Sequence, residues 1–298
     1  MRPRLVRMPL DLPLRGPADL HTHSRVSDGT ESPAELVRAA AAAGLGTVAL
    51  TDHDTTAGWP EAMVAAPEVG VNLIPGMELS TRHHGMSVHM LAYLFDPTNP
   101  EIMAETERIR VARKTRAAEI VQNIGVDYAI TWEDVLEQTT PGASIGRPHI
   151  ADALVARGFS TDRSAAFATI LHPRSGYIIP LYAPDPLVAI RMIRAAGGVP
   201  VIAHPATGTR GRLMPESVVA EMAEAGLFGM EIDHRENTPE GKEWLRELAS
   251  RYDLALTGSS DYHGAGKPNR LGENTTAPDV VEAIVAEATG FAPIRATR

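Results

Sequence analysis

The stretch ADLHTHSRVSDGT at residues 18–30 sets His21 and His23 one residue apart, with Asp28 five residues after the second. It closes a short apolar run. Two readings compete for such a pair: the end of a strand carrying two partly solvated rings, or one half of a metal site. The rest of the chain arbitrates. ADLHTH reads as a strand running into a loop. GTVALTDHD (46–54) reads as a buried strand entering a polar loop, VNLIPGMELS (71–80) repeats that form, and MSVHMLAYLF (86–95) is a strand with apolar residues on both faces. Between the first two lies SPAELVRAAAAAG (32–44), a helix with Ser32 as its cap, Pro33 at its first position and Gly44 at its end.

The middle of the chain changes character. PEIMAETERIRVARKTRAAEIVQNIG (100–125) reads as one long helix ended by Gly125, and TWEDVLEQ (131–138) as a short one opened by a Thr131–Asp134 capping box. RPHIADALVARG and RSAAFATIL add helices. Strand and helix then alternate again: PLVAIRMIRAAGG, VPVIAHP, PESVVAEMAEAG, FGMEIDH, PEGKEWLRELASRY and LALTGSSDYHG. Such alternation predicts a parallel sheet, open or closed into a barrel.

The strand exits carry the chemistry. They present His21 and His23, then Asp52, His53 and Asp54, then Glu78, His204, Glu231, Asp233 and His234, and finally Asp261 and His263. His89 interrupts an apolar strand, where a buried imidazole needs a partner. The carboxyl ends of strands are where barrels and open parallel sheets build their sites. Separately satisfied core histidines would account for any one of these residues, but poorly for the set. Imidazole and carboxylate together suit divalent Zn, Fe or Mn. The chain has no cysteine, so disulfides and thiolate sites are excluded.

The 298 residues suit one large domain or two small ones, with 44% hydrophobic and 22% charged residues, as in a globular protein. A net charge of −9 argues against long nucleic acid as a ligand. No run reaches the length of a membrane helix. The start, MRPRLVRMPLDLPLRGP, is broken by Pro9, Asp11 and Pro13 and makes a poor signal peptide, so a cytoplasmic location is expected.

DLHTHSRVSDGT, TDHDTTAG, GMELS, MSVHMLAY, VIAHP and GSSDYHG, in this order, resemble the PHP family of polymerase and histidinol phosphatase domains. GRPHIADALVARGF and YIIPLYAPDP resemble its nucleotide branch, which holds phosphatases of AMP or nucleoside 3′,5′-bisphosphates and 5′–3′ exoribonucleases of short RNA. The resemblance implies an α/β fold: a distorted (β/α)7 TIM-like barrel formed by residues 1–99 and 195–298, with an inserted helical subdomain at 100–194 that caps the substrate. It also implies two or three divalent metal ions, with Mn favoured and Fe or Zn as alternatives. One ion would take His21, His23, Glu78 and Asp261. A second would share Glu78 and take His89 and His204, and a third would take Asp28, His53 and His263. The reaction implied is hydrolysis of a nucleotide phosphate monoester by metal-activated hydroxide. A 5′–3′ exoribonuclease on short RNA and a histidinol-phosphate phosphatase stand as alternatives, and behind them a non-phosphate hydrolase or a non-catalytic metal-binding module.

Around that set, Asp52 and Asp54 are expected to orient imidazoles, with a helix or turn cap as the competing reading for Asp54. Arg147 and His149 open a helix whose N-terminus with an arginine suits an anion. Arg25, Lys114 and Arg174 are further candidates for substrate contact. His234 is the candidate proton donor or substrate contact.

Overall fold

The computed structural model describes residues 14, 16–207 and 213–296. The N-terminal stretch read against a signal peptide lies outside the described residues. Seven strands form one sheet in sequential order: β1 (Ala18–Asp19), β2 (Thr47–Leu50), β3 (Asn72–His83), β4 (Met86–Tyr93), β5 (Val199–Ala203), β6 (Gly229–Asp233) and β7 (Ala255–Gly258). The first and last strands meet beyond their ends. A parallel bridge joins Thr22 to Tyr262, with the His23 N–H donating to the Tyr262 carbonyl at 2.8 Å. The sheet is thus a nearly closed barrel, as the sequence led us to expect.

The sheet is not wholly parallel. β3 and β4 form an antiparallel hairpin, and β4 also runs antiparallel to β5. The turn passes through His84 and Gly85, both at positive φ, so no helix separates the two strands. This reversal explains how a histidine early in a strand can join the others. His89 pairs with Ser80 near the end of β3 and with Ala203, the last residue of β5. It therefore lies at the same rim as the exits of the parallel strands.

The helices follow their local signals. α1 (Pro33–Ala42) has the full Ser32–Glu35 capping box and ends before Gly44, at φ +81°. α2 (Trp59–Val69) was not anticipated, because Pro60 and Pro67 obscure its pattern. α3 (Pro100–Ile124) is capped by Asn99, and α4 (Trp132–Leu136) has the Thr131–Asp134 capping box. α5 (Arg147–Ala156) and α6 (Arg163–Ala168) complete the helical block. α7 (Pro186–Ala195), α8 (Glu216–Glu224), α9 (Pro239–Tyr252) and α10 (Pro278–Glu287) follow.

Alternation along the strands separates two apolar layers. Leu20, Ala49, Ile74, Leu91, Tyr93, Val199, Val201 and Ala203 pack together with Val281 and Ile284 of α10, which plug the end away from the histidines. The alternate residues Val48, Leu50, Leu73, Met90 and Ile202 pack outward on helices α1, α2 and α7. A third cluster belongs to the helical block and includes Ile120, Ile124, Ile150, Leu154 and Leu171. The helix α3 spans both regions, since its Ile102 and Ile109 belong to the barrel layer. Among the described residues no helix is long and apolar enough to cross a membrane.

Candidate metal centre

Glu78 is the centre of the rim. It lies fully buried on β3, and its two carboxylate oxygens face different histidines. Oε2 is 3.2 Å from His21 Nε2, 3.1 Å from His23 Nε2 and 3.2 Å from His53 Nδ1. Oε1 is 2.6 Å from His89 Nδ1 and 3.3 Å from His204 Nε2. Asp261 Oδ1 approaches the same two nitrogens of His21 and His23, at 3.4 and 3.3 Å. On the far side of His23, Asp28 Oδ1 is 3.2 Å from His263 Nε2, and its Oδ2 is 3.7 Å from His53 Nε2.

Spacing and chemistry both fit divalent cations. Donors about 2.1 Å from an octahedral ion stand about 3 Å from one another, which is the spacing around Glu78 Oε2. His53 Nδ1, Glu78 Oε2 and His263 Nε2 are buried without a hydrogen-bond partner. Left so, each costs desolvation energy, and a cation would satisfy all three. Burial pushes the Glu78 carboxyl up, but the facing His53, His89 and His21 outweigh it and hold it well below the usual carboxylate range. Asp28 and Asp261 resist the same burial penalty chiefly through His263 and Lys267, respectively. The acids are therefore ionised donors. His204 and Asp261 also hold positive φ, +33° and +55°, a strained backbone that clusters at functional sites.

A PHP domain model matches residues 19–132. The 5′-3′ exoribonuclease of Haemophilus influenzae is 34% identical over 271 residues, covering 90% of this chain and 96% of that protein. The chain belongs to the PHP family. Another relative, a 3′,5′-nucleoside bisphosphate phosphatase of Chromobacterium violaceum, is 32% identical and covers 90% of this chain and 95% of its own. The crystal structure of a Bifidobacterium adolescentis protein assigned as a metal-dependent phosphoesterase superposes with a TM-score of 0.90 at 44% identity, covering 93% of this chain and 98% of that one. The expectation of a metal-dependent phosphoesterase is borne out at the level of the PHP family.

All nine residues that the PHP resemblance implied as ligands meet at this rim. Glu231 joins them. It lies fully buried, with Oε1 3.1 Å from His21 Nδ1 and bonded by the Ser259 hydroxyl, while Oε2 accepts the His204 N–H at 2.7 Å. The sequence showed Glu231 at a strand exit but gave it no task. Asp52 accepts from the Ser24 N–H and from the hydroxyls of Ser24 and Ser27, and Ser27 Oγ lies 3.4 Å from His23 Nδ1. Asp54 neither caps α2 nor meets an imidazole. It accepts from Ser80 and from Arg113 Nε at 2.6 Å, tying β3 to α3. Lys267, unremarked in the sequence, donates to Asp261 Oδ2 at 2.7 Å.

The candidate substrate contacts in this PHP protein separate into two groups. His234 is fully buried beside Asp261, with Nε2 3.6 Å from Oδ2. Arg147 is half-buried and lies over the Phe167 ring at 5.2 Å, without a hydrogen bond or ion pair among the described residues. The His149 Nδ1 accepts the Gly146 N–H at 3.1 Å, closing the cap of α5. That commits one of its two ring nitrogens to the helix start. Arg25, Lys114 and Arg174 are exposed and make no side-chain hydrogen bond or ion pair among the described residues.

Proposed function

We propose that the chain hydrolyses the phosphate monoester of a small nucleotide, AMP or a nucleoside 3′,5′-bisphosphate, in the cytoplasm. The observation that carries this reading is the divided Glu78 carboxylate. Its Oε2 would serve one ion with His21, His23 and Asp261, and its Oε1 a second with His89 and His204. Asp28, His53 and His263 would hold a third. The mixed imidazole and carboxylate set favours Mn, with Fe or Zn able to substitute. Such ions, when bound, supply positive charge for phosphoryl oxygens and lower the pKa of water to near neutrality.

The chain's own residues do the rest. Glu231 accepts from His21 Nδ1 and so keeps Nε2 aimed at Glu78 and Asp261. His234 Nδ1 accepts the Glu236 N–H at 3.1 Å. The ring then carries its proton on Nε2, the nitrogen beside Asp261, in position to donate a hydrogen bond to a substrate oxygen. Arg147 is a cation without an anionic partner at the start of α5, where free N–H groups also suit a phosphate. Residues 100–194 would cap the site and read the nucleoside.

The Haemophilus relative favours a second reading, in which the same centre removes nucleotides from the 5′ end of short RNA. Turnover of AMP, a nucleoside 3′,5′-bisphosphate, a 5′-phosphorylated RNA trimer and histidinol phosphate, each with Mn supplied, tests both. Preference for the mononucleotides is expected. Release of mononucleotides from the trimer with inert AMP would establish the exonuclease instead, and histidinol phosphate as best substrate would overturn both.

A further inference from the structure

The loop between β1 and α1 is held by the helical block through the backbone carbonyls of three residues. The Thr140 hydroxyl donates to the Arg25 carbonyl at 2.9 Å, and the Ser144 N–H donates to the Val26 carbonyl at 3.0 Å. Arg163 Nη1 donates to the Asp28 carbonyl at 2.8 Å. Arg163 is fixed in its turn. Its Nε and Nη2 grip the two oxygens of Asp152 at 2.5 and 2.6 Å, a fork that sets the guanidinium plane and aims Nη1. The loop beyond His263 packs on the same group: a Cβ added to Gly266 would stand only 2.1 Å from Arg163 Nη1. One arginine of the helical block therefore touches both loops whose side chains, Asp28 and His263, face each other at 3.2 Å.

We propose that Arg163 is a positioning residue for the ion held by Asp28, His53 and His263, so that the helical block sets the affinity of that ion alone. This rests on the three-ion reading above. The other two groups are fixed by different means. His21, His23, Glu78, His89 and His204 project from strands or strand exits, and Glu231 holds His21 and His204 without help from Arg163. Arg163 instead meets the backbone at Asp28 itself and the loop just past His263.

The test is a Mn titration of the intact protein and of Arg163→Met and Asp152→Asn, read by calorimetry and by elemental analysis, with circular dichroism as the check on folding. Two sites of wild-type affinity and a third weakened 10- to 100-fold are expected for Arg163→Met, as for other residues that support a ligand from behind. Asp152→Asn should weaken the same site by a smaller factor, and it decides the matter if Arg163→Met does not fold. Three unchanged sites overturn the clamp alone. Equal weakening at all three marks an arginine that only stabilises the fold, and also overturns it. A wild-type protein that never takes the third ion overturns the three-ion reading and the clamp together.

Discussion

Glu231 faces the His21 nitrogen that points away from Glu78 and Asp261. Its oxygen at 3.1 Å from Nδ1 fixes which nitrogen carries the proton, and its other oxygen holds the His204 N–H. Glu231→Gln keeps the shape and removes the charge. We expect Mn affinity to fall 10- to 100-fold with native circular dichroism, measured by competition with a chelator. Unchanged affinity would show that His21 needs no such partner. The contrast with the implied ligands shows what the chain makes readable. His21, His53 and His204 stand at the ends of apolar runs, where a polar ring is conspicuous. Arg163 and Lys267 resemble any surface cation in sequence, because what distinguishes them is a partner brought near by folding. Asp28, for example, lies 135 residues from Arg163.

Elements bring the proposed ligands to one rim, and the turns between them set the tolerance. Gly29 follows Asp28, and a Cβ there would lie 2.2 Å from the His23 carbonyl oxygen. Gly29→Ala must push the loop off its seat. A loss of about 1–3 kcal/mol is expected from this overpacking, together with weaker Mn binding, and urea denaturation with metal analysis would read both. A variant of wild-type stability and metal content would show the loop to be compliant. The α5 start makes a different prediction. Arg147→Ala should cost about 1.5–3 kcal/mol of charge-assisted bonding, so kcat/KM for nucleotides should fall roughly 10- to 150-fold at unchanged metal content. Normal kinetics would show Arg147 to be a packing cation. Most elements could be read from caps and alternation, but the direction of β4 could not. MSVHMLAYLF has the same pattern whichever way it runs, and only the short RHHG link hinted at a hairpin.

At the scale of the molecule, protons and metal ions compete for one buried charge centre in a chain of net charge −9. Burial lowers the His23 pKa, but the facing Asp261 and Glu78 carboxylates outweigh that and push it up to about 9 in the ion-free protein. Its unfolded value is about 6.5. A raised imidazole stabilises the fold fully below about 6.5, and that stabilisation is lost as pH rises through about 9. The chelated protein should therefore weaken between these limits, as the carboxylates lose the proton that offset them. The loaded protein should not, because its ligands are already deprotonated and each ion present at 100 times its Kd adds about 2.7 kcal/mol. The gap in Tm between Mn-loaded and EDTA-treated protein should then widen steadily from pH 6 to pH 9, as read by scanning calorimetry in matched ionic strength. A gap that stays constant across this range would mean that His23 does not exchange a proton for an ion, and would remove it from the proposed ligands.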